Sequence, residues 1–177
     1  HTAGIPVFST GGIGGVHRGG DYSFDVSEDL TALATISMIV ISAGSKAILD
    51  IPKTLEMMET LGVTVLGYGV DEFPAFYSRC SGYFGIHRVD APGGVATIYK
   101  NNISAGLLSS VLVANPVPKE NEISTDEIES IIEAACETAE ALKVTGKELT
   151  PFLLKEVVDK TNGKSLHTNK ALALHNI

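Results

Sequence analysis

Residues 36–61, ISMIVISAGSKAILDIPKTLEMMETL, join a near-continuous apolar run to a short Ala/Gly/Ser turn and then to apolar residues at helical spacing. A run of this kind, too apolar to alternate, is the mark of a strand buried on both faces. The turn and the amphipathic stretch after it supply the crossover that a parallel neighbour requires. An α/β chain with a mainly parallel sheet follows. Lys46 stands at the junction, beyond the carboxyl end of a core strand and on the spacing of a first helical turn.

Three further runs repeat the pattern: Ile5–Phe8, Val63–Leu66 and Val111–Ala114, each bounded by Gly, Ser, Asn or Pro. We expect a layered α/β/α fold over residues 1–177 as one domain, with Ile5–Phe8 central in the sheet. Helices are expected over 28–34 and over 47–61, where Ile48, Ile51, Leu55 and Met58 share a face and Gly62 closes the element. A third, over 125–142, buries Ile128, Ile131, Ile132, Ala135, Ala139 and Leu142. A fourth has Thr150 as its N-cap, Pro151 at its first position and Gly163 at its end. The opening HTAGIPVF and the closing SLHTNKALALHNI read as cut from a longer sequence, and the sheet is expected to need an upstream segment.

Composition narrows the function classes. With 44% hydrophobic and 19% charged residues the 177-residue chain can bury a sizeable core. Its formal charge of −8 repels a phosphodiester backbone, which argues against nucleic acid. No apolar run approaches the roughly 20 residues that span a bilayer. Cys80 and Cys136 form neither a metal spacing nor a disulfide framework, so a cytoplasmic setting is the plain expectation.

Ligands of open parallel sheets lie beyond the carboxyl ends of the strands, so those loops hold the candidates. Gly11 to Gly20 is not a dinucleotide fingerprint, because His17 stands where the third glycine belongs, and it is no P-loop. A backbone this flexible, with His17 and Arg18 at its far side, suits a small anion such as phosphate, or simply close packing. In Asp25-Val26-Ser27-Glu28-Asp29 the oxygen-bearing residues resemble a calcium loop, but Leu30 and Ile36 exclude an EF-hand. Ser27 or Asp25 serves equally well as a helix cap. Any metal on such oxygens would be magnesium or manganese rather than zinc.

Lys46 has two readings. The helix dipole and lost hydration would favour its neutral amine, which can attack a carbonyl and form a Schiff base; alternatively it reaches solvent or anchors a phosphate. His87, His167 and His175 have no ligand spacing. Nor is there a G-x-S-x-G elbow, and Ala43 breaks the S-x-x-K pattern, so acyl transfer is not expected.

Six separated blocks in order, GIPVFSTGGIGGVHRGGDYSFDVSEDL, SAGSKAILDIPKTLE, GYGVDEFPAFYSR, LVANPVP, TGKELTPFLL and SLHTN, resemble the pseudouridine-5'-phosphate glycosidase family, which includes the indigoidine-cluster A protein. The resemblance implies an enzyme that reversibly splits the carbon–carbon glycosidic bond of pseudouridine 5'-phosphate to uracil and ribose 5-phosphate, with a divalent cation, typically manganese, and a homotrimeric assembly. It further implies that Lys46 is the covalent nucleophile, Asp25 the metal carboxylate, Ser27, Glu28 and Asp29 substrate contacts, and Asn169 a further active-site residue. Thr10, His17 and Arg18 fall in the family's glycine loop, near phosphate or the metal's water. A glutamate acid/base and a substrate-binding lysine belong to the family's upstream region and are not in these residues, so the segment alone is expected to be inactive. Two other readings stay open: a different Schiff-base sugar-phosphate lyase, and a non-catalytic subunit.

Overall fold

The computed structural model describes residues 1–177. Five strands form one wholly parallel sheet: β1 (Val7–Ser9), β2 (Ile39–Ser42), β3 (Thr64–Tyr68), β4 (His87–Val89) and β5 (Val111–Ala114), in the order β1-β2-β5-β3-β4. The apolar run 111–114 occupies the middle, and all four of its residues are buried. That burial is what a both-face apolar strand predicts.

Ile5–Phe8 is expected to lie centrally with one neighbour supplied by an upstream segment, and within residues 1–177 it stands at one edge of the sheet. β1 pairs with β2 alone, and Ile5, Val7 and Phe8 are 59%, 45% and 53% exposed. Uniform apolarity marks a strand but carries no information about its order, because order depends on partners far along the chain. β4 carries no apolar signal of its own. Its sequence HRV is two-thirds polar and exposed, the composition that protects a sheet edge from further pairing.

Crossover helices cover the faces unequally. On one side α2 (Glu28–Thr35) and α3 (Ile51–Thr60) pack with Val40, Leu112 and Ala114 around Met58 and Phe73, both fully buried. On the other, α4 (Pro92–Ser104) alone packs against Val111, Val113, Leu66 and Val89 through Val95. The α1 turn (Gly20–Ser23) leads into α2.

A second core is built from α5 (Thr125–Ala141), α6 (Leu149–Lys160) and α7 (Lys164–His175). Here Ile128, Ile132, Ala135 and Ala139 of α5 meet Leu153, Val157 and Leu172, as the spacing predicts, whereas Leu142 lies beyond the helix end at 63% exposure. This helical layer does not rest on the sheet face. It packs on the loops that leave β2, β3 and β5, through Ala43, Ala47–Leu49, Phe76, Tyr77, Val117 and Ile123. The fold is therefore α/β/α with a helical lid over the carboxyl ends of its strands.

Two helix starts differ from expectation. α3 begins at Ile51, with Asp50 as N-cap accepting from Lys53 N and Pro52 in the first turn. Residues 47–48 are a turn and Leu49 bridges His17, so Lys46 lies in a loop and not at a helix N-terminus; the cap at Asp50 and the proline after it outweigh the apolar spacing that extends back to Ile48. α6 begins at Leu149, which places Thr150 and Pro151 inside its first turn rather than at the cap and first position. Gly62 and Gly163 end their helices as expected: each has positive φ, and the Gly163 amide closes on Val158 O at 2.9 Å. No helix is long and apolar enough to cross a membrane.

Candidate functional site

The loop after β2 and the glycine loop after β1 run side by side and are zipped by their backbones. Ala43 N donates to Gly11 O (2.9 Å), Ile13 N to Gly44 O (3.1 Å), Lys46 N to Ile13 O (3.0 Å) and Asp50 N to Val16 O (2.9 Å). Approach this close requires small residues. A Cβ on Gly14 would lie 2.1 Å from Ser27 Oγ, and one on Gly15 2.4 Å from Thr54 Oγ1. The glycine richness is thus explained at least in part by packing.

Of residues 42–49, all but Lys46 are buried; it alone is half-exposed. Its side chain enters a cavity of about 390 Å³ between β1, β2 and α2, lined also by Thr10, Gly12 and Asp29. Lys46 makes no ion pair, in contrast to Lys53, which bonds Asp21 (2.8 Å) and Asp50 (2.9 Å). Those carboxylates hold the Lys53 ammonium well above the ordinary lysine range, the Asp21 hydrogen bond first. Of these two lysines, one in the loop after β2 and one in the first turn of α3, only Lys46 has a side chain free of carboxylates.

Asp29, which lines the same cavity, accepts the Gly14 amide at 2.7 Å through Oδ2, and its Oδ1 has no protein donor. Ser27 is the N-cap of α2, its Oγ accepting from Asp29 N at 3.2 Å. Asp25 is therefore not the cap, and its carboxylate bonds no protein donor. Glu28, exposed in the first turn, makes no side-chain bond. This separates the two carboxylate roles proposed for the segment. Ser27→Ala is expected to lower stability by about 1 kcal/mol, while Asp25→Asn leaves the melting temperature within a degree or two; thermal unfolding monitored by circular dichroism checks both.

The other expected residues do not share the Lys46 cavity. His17, Arg18 and Asp25 line a second cavity, of about 710 Å³, on the far side of the glycine loop against α5 and α6. His17 is buried, with Nε2 3.2 Å from Thr150 Oγ1, so the histidine ties the loop to α6. Arg18 is also engaged: both its terminal nitrogens bond Glu129 of α5, and Nη2 donates to Ala47 O at 3.1 Å. Asn169 of α7 faces the glycine loop from the lid, where a Cβ on Gly11 would lie 3.0 Å from its Oδ1.

Asp25 belongs to no group of three or more His, Cys, Asp and Glu side chains. One free carboxylate fits a hard cation that keeps most of its waters, as magnesium or manganese does, and does not fit zinc.

Several residues that build the site carry no sequence signal. Asn176, buried at 3%, donates to Thr10 O (2.8 Å) and accepts from Asn115 (3.1 Å), fastening the end of α7 across β1 and β5. Thr54 Oγ1 accepts from Val16 N at 3.0 Å. Phe76, buried at positive φ, places its ring under Gly12. Their partners lie 38 to 166 residues away in the chain or in another loop, beyond the reach of any local pattern.

Comparison with known proteins agrees with this architecture. The model of the indigoidine synthase A-like protein family matches residues 1–177. The pseudouridine-5'-phosphate glycosidase of Mesorhizobium japonicum is 52% identical over 173 residues, and that of Solibacter usitatus 49% over 174. Each alignment takes in 98% of this chain, but the chain spans only 57% and 58% of those relatives' lengths. Among solved structures, an indigoidine synthase A-like protein of Thermotoga maritima superposes with a TM-score of 0.90 at 43% identity, covering 99% of this chain and 57% of the other. The prealnumycin C-glycosynthase AlnA, in complex with ribulose 5-phosphate, superposes with a TM-score of 0.92 at 31% identity, covering 99% and 58%. This chain belongs to the indigoidine synthase A-like family.

Proposed function

We propose that this chain supplies the Schiff-base centre of an enzyme that reversibly cleaves the carbon–carbon glycosidic bond of pseudouridine 5'-phosphate to give uracil and ribose 5-phosphate. The observation that carries the reading is Lys46: a side chain without a carboxylate partner, on a loop otherwise buried, entering a cavity it shares with Thr10 and Asp29. The names of the relatives support the same substrate class.

The chemistry needs an amine at this place. A C-glycoside has no heteroatom leaving group, so acid-assisted departure of the kind used on O-glycosides would expel a carbanion. In the proposed sequence the bond from C1′ to the ring oxygen breaks as Lys46 Nζ bonds C1′, opening the ribose, and a proton lost from the nitrogen passes to that oxygen, leaving a secondary amine and a hydroxyl. A proton is added to C5 of the uracil, and the nitrogen lone pair then expels the base as the C1′–C5 bond breaks, leaving an iminium on Lys46. Water adds to the iminium, releasing ribose 5-phosphate and restoring the amine.

Asp29, through its free Oδ1, and Thr10 orient the sugar, with Ser27 and Glu28 at the same helix end and Asn169 closing from α7. Asp25 would hold a divalent cation from the second cavity, where the cation's charge would offset that of a phosphate. His17 and Arg18 hold the glycine loop against α6 and α5. Assembly as a homotrimer and a cytoplasmic setting belong to the same proposal.

The test is synthesis by the complete polypeptide carrying this chain. Incubation with uracil, ribose 5-phosphate and manganese is expected to yield pseudouridine 5'-phosphate, resolved by chromatography and mass spectrometry. Failure with uracil alongside product from another carbon acceptor would favour a second reading, a Schiff-base C-glycosynthase or lyase of different base specificity, which the likeness to AlnA supports. No adduct or product with any sugar phosphate would leave the non-catalytic reading.

A further inference from the structure

The residue after Lys46 offers its carbonyl to a side chain from a different part of the molecule. Arg18, at the far end of the glycine loop, places Nη2 3.1 Å from Ala47 O, and the same guanidinium makes a two-pronged bond to Glu129, with Nη2–Oε2 at 3.0 Å. Planar and five-donor, a guanidinium can serve a carboxylate and a carbonyl at once, which an ammonium does less well. Glu129 lies in the second turn of α5, a helix anchored in the lid core by Ile128 and Ile132 on either side of it. The other side-chain bonds to the backbone of residues 43–50, from Ser42 to Gly44 O and from Thr54 to Asp50 O, come from within the strand–loop–helix unit itself. Beside the apolar packing of Ala47–Leu49 on the lid, Arg18 supplies the side-chain hydrogen bonds that link that loop to it.

We propose that Arg18, held by Glu129, is a positioning residue for Lys46: it fixes the peptide that follows the nucleophile and so sets the direction in which the amine enters the cavity. The role rests on the reading of Lys46 as nucleophile, and it reassigns Arg18 from the phosphate contact that the glycine-loop position suggests. The guanidinium is already occupied on two sides, and it lines the second cavity rather than that of Lys46. Burial opposes its charge, but the Glu129 hydrogen bond and the nearby Glu129 and Glu133 carboxylates hold it protonated.

Two variants of the complete protein test this, Arg18→Met and Glu129→Gln, each compared with wild type by hydrogen–deuterium exchange and by borohydride trapping with ribose 5-phosphate. In Arg18→Met, exchange of a peptide covering residues 43–50 is expected to speed up about tenfold while peptides from β2 and β5 are unchanged. Adduct formation at Lys46 should slow about tenfold at saturating sugar phosphate, with the half-saturating concentration within about twofold of wild type. Glu129→Gln, which keeps the helix and one acceptor, should move both readouts in the same direction by less, and it decides the matter if Arg18→Met does not fold. Unchanged exchange, or a raised half-saturating concentration at an unchanged saturated rate, overturns the proposal, the second by showing that Arg18 binds the phosphate. If wild type forms no adduct at Lys46, the reading of the reaction fails, and the exchange measurement still decides whether Arg18 holds the loop.

Discussion

Replacing Lys46 by alanine in the complete protein is expected to reduce turnover by at least about a thousandfold, because a step carried by a covalent nucleophile has no substitute once the nucleophile is gone. Lys46→Arg should do no better. A guanidinium stays charged at any working pH, and its electrons are delocalised, so it cannot add to C1′. Sugar binding should survive both changes, since the cavity keeps Thr10, Asp29 and its apolar walls. The discriminating measurement is borohydride reduction in the presence of ribose 5-phosphate followed by peptide mass spectrometry. Wild type should gain one sugar-phosphate mass on the peptide containing Lys46, and both variants none. An adduct on Lys53 instead would overturn the assignment, and the structure gives a reason to expect none there: its ammonium is pinned between Asp21 and Asp50 and held in the charged form.

Gly44→Ala should be among the most damaging single substitutions in the chain, although it adds one methyl group two residues from Lys46. Gly44 adopts φ +87°, a conformation that costs an alanine about 1 kcal/mol. The added Cβ would also lie 2.2 Å from Pro74 O and 3.1 Å from a ring carbon of Phe73. Pro74 O is backbone in the loop after β3, and Phe73 is fully buried, so neither can step aside cheaply. Overpacking of this kind adds about 1–3 kcal/mol, for a total of roughly 2–4 kcal/mol. Gly62→Ala is the internal control: φ is +69° but nothing lies within 4 Å of the new methyl, so only the conformational cost of about 1 kcal/mol remains. Urea denaturation of the two variants should separate them clearly. Equal losses would mean that the loops around Lys46 yield as readily as a solvent-facing helix end, and that the close approach of Gly44 to Pro74 O does not hold the site.

Much of the layout is legible in local pattern. The run 111–114 is a buried strand to the residue, the helix expected over 28–34 runs one residue further, and Gly62 and Gly163 close their helices, because each of these rests on side-chain period or on one residue's own backbone preference. The same local information places Lys46 and Thr10 past the ends of β2 and β1. What it misjudges are elements whose state is settled by distant partners. β4 is two-thirds polar yet pairs with β3, and nothing local to β1 gives its place in the strand order.

What the amino-acid order determines by itself is the class of fold, the strand-end position of the lysine and the family to which the chain belongs, since periodicity, caps and motif blocks are properties of neighbouring residues. Only the tertiary structure divides the expected site residues between two cavities, with Lys46, Thr10 and Asp29 on one side of the glycine loop and His17, Arg18 and Asp25 on the other. It also turns Arg18 from a free cation into a link between Ala47 O and Glu129, residues 29 and 111 positions away. The physical reason is that a hydrogen bond depends on distance in space, whereas a local pattern carries only distance along the chain.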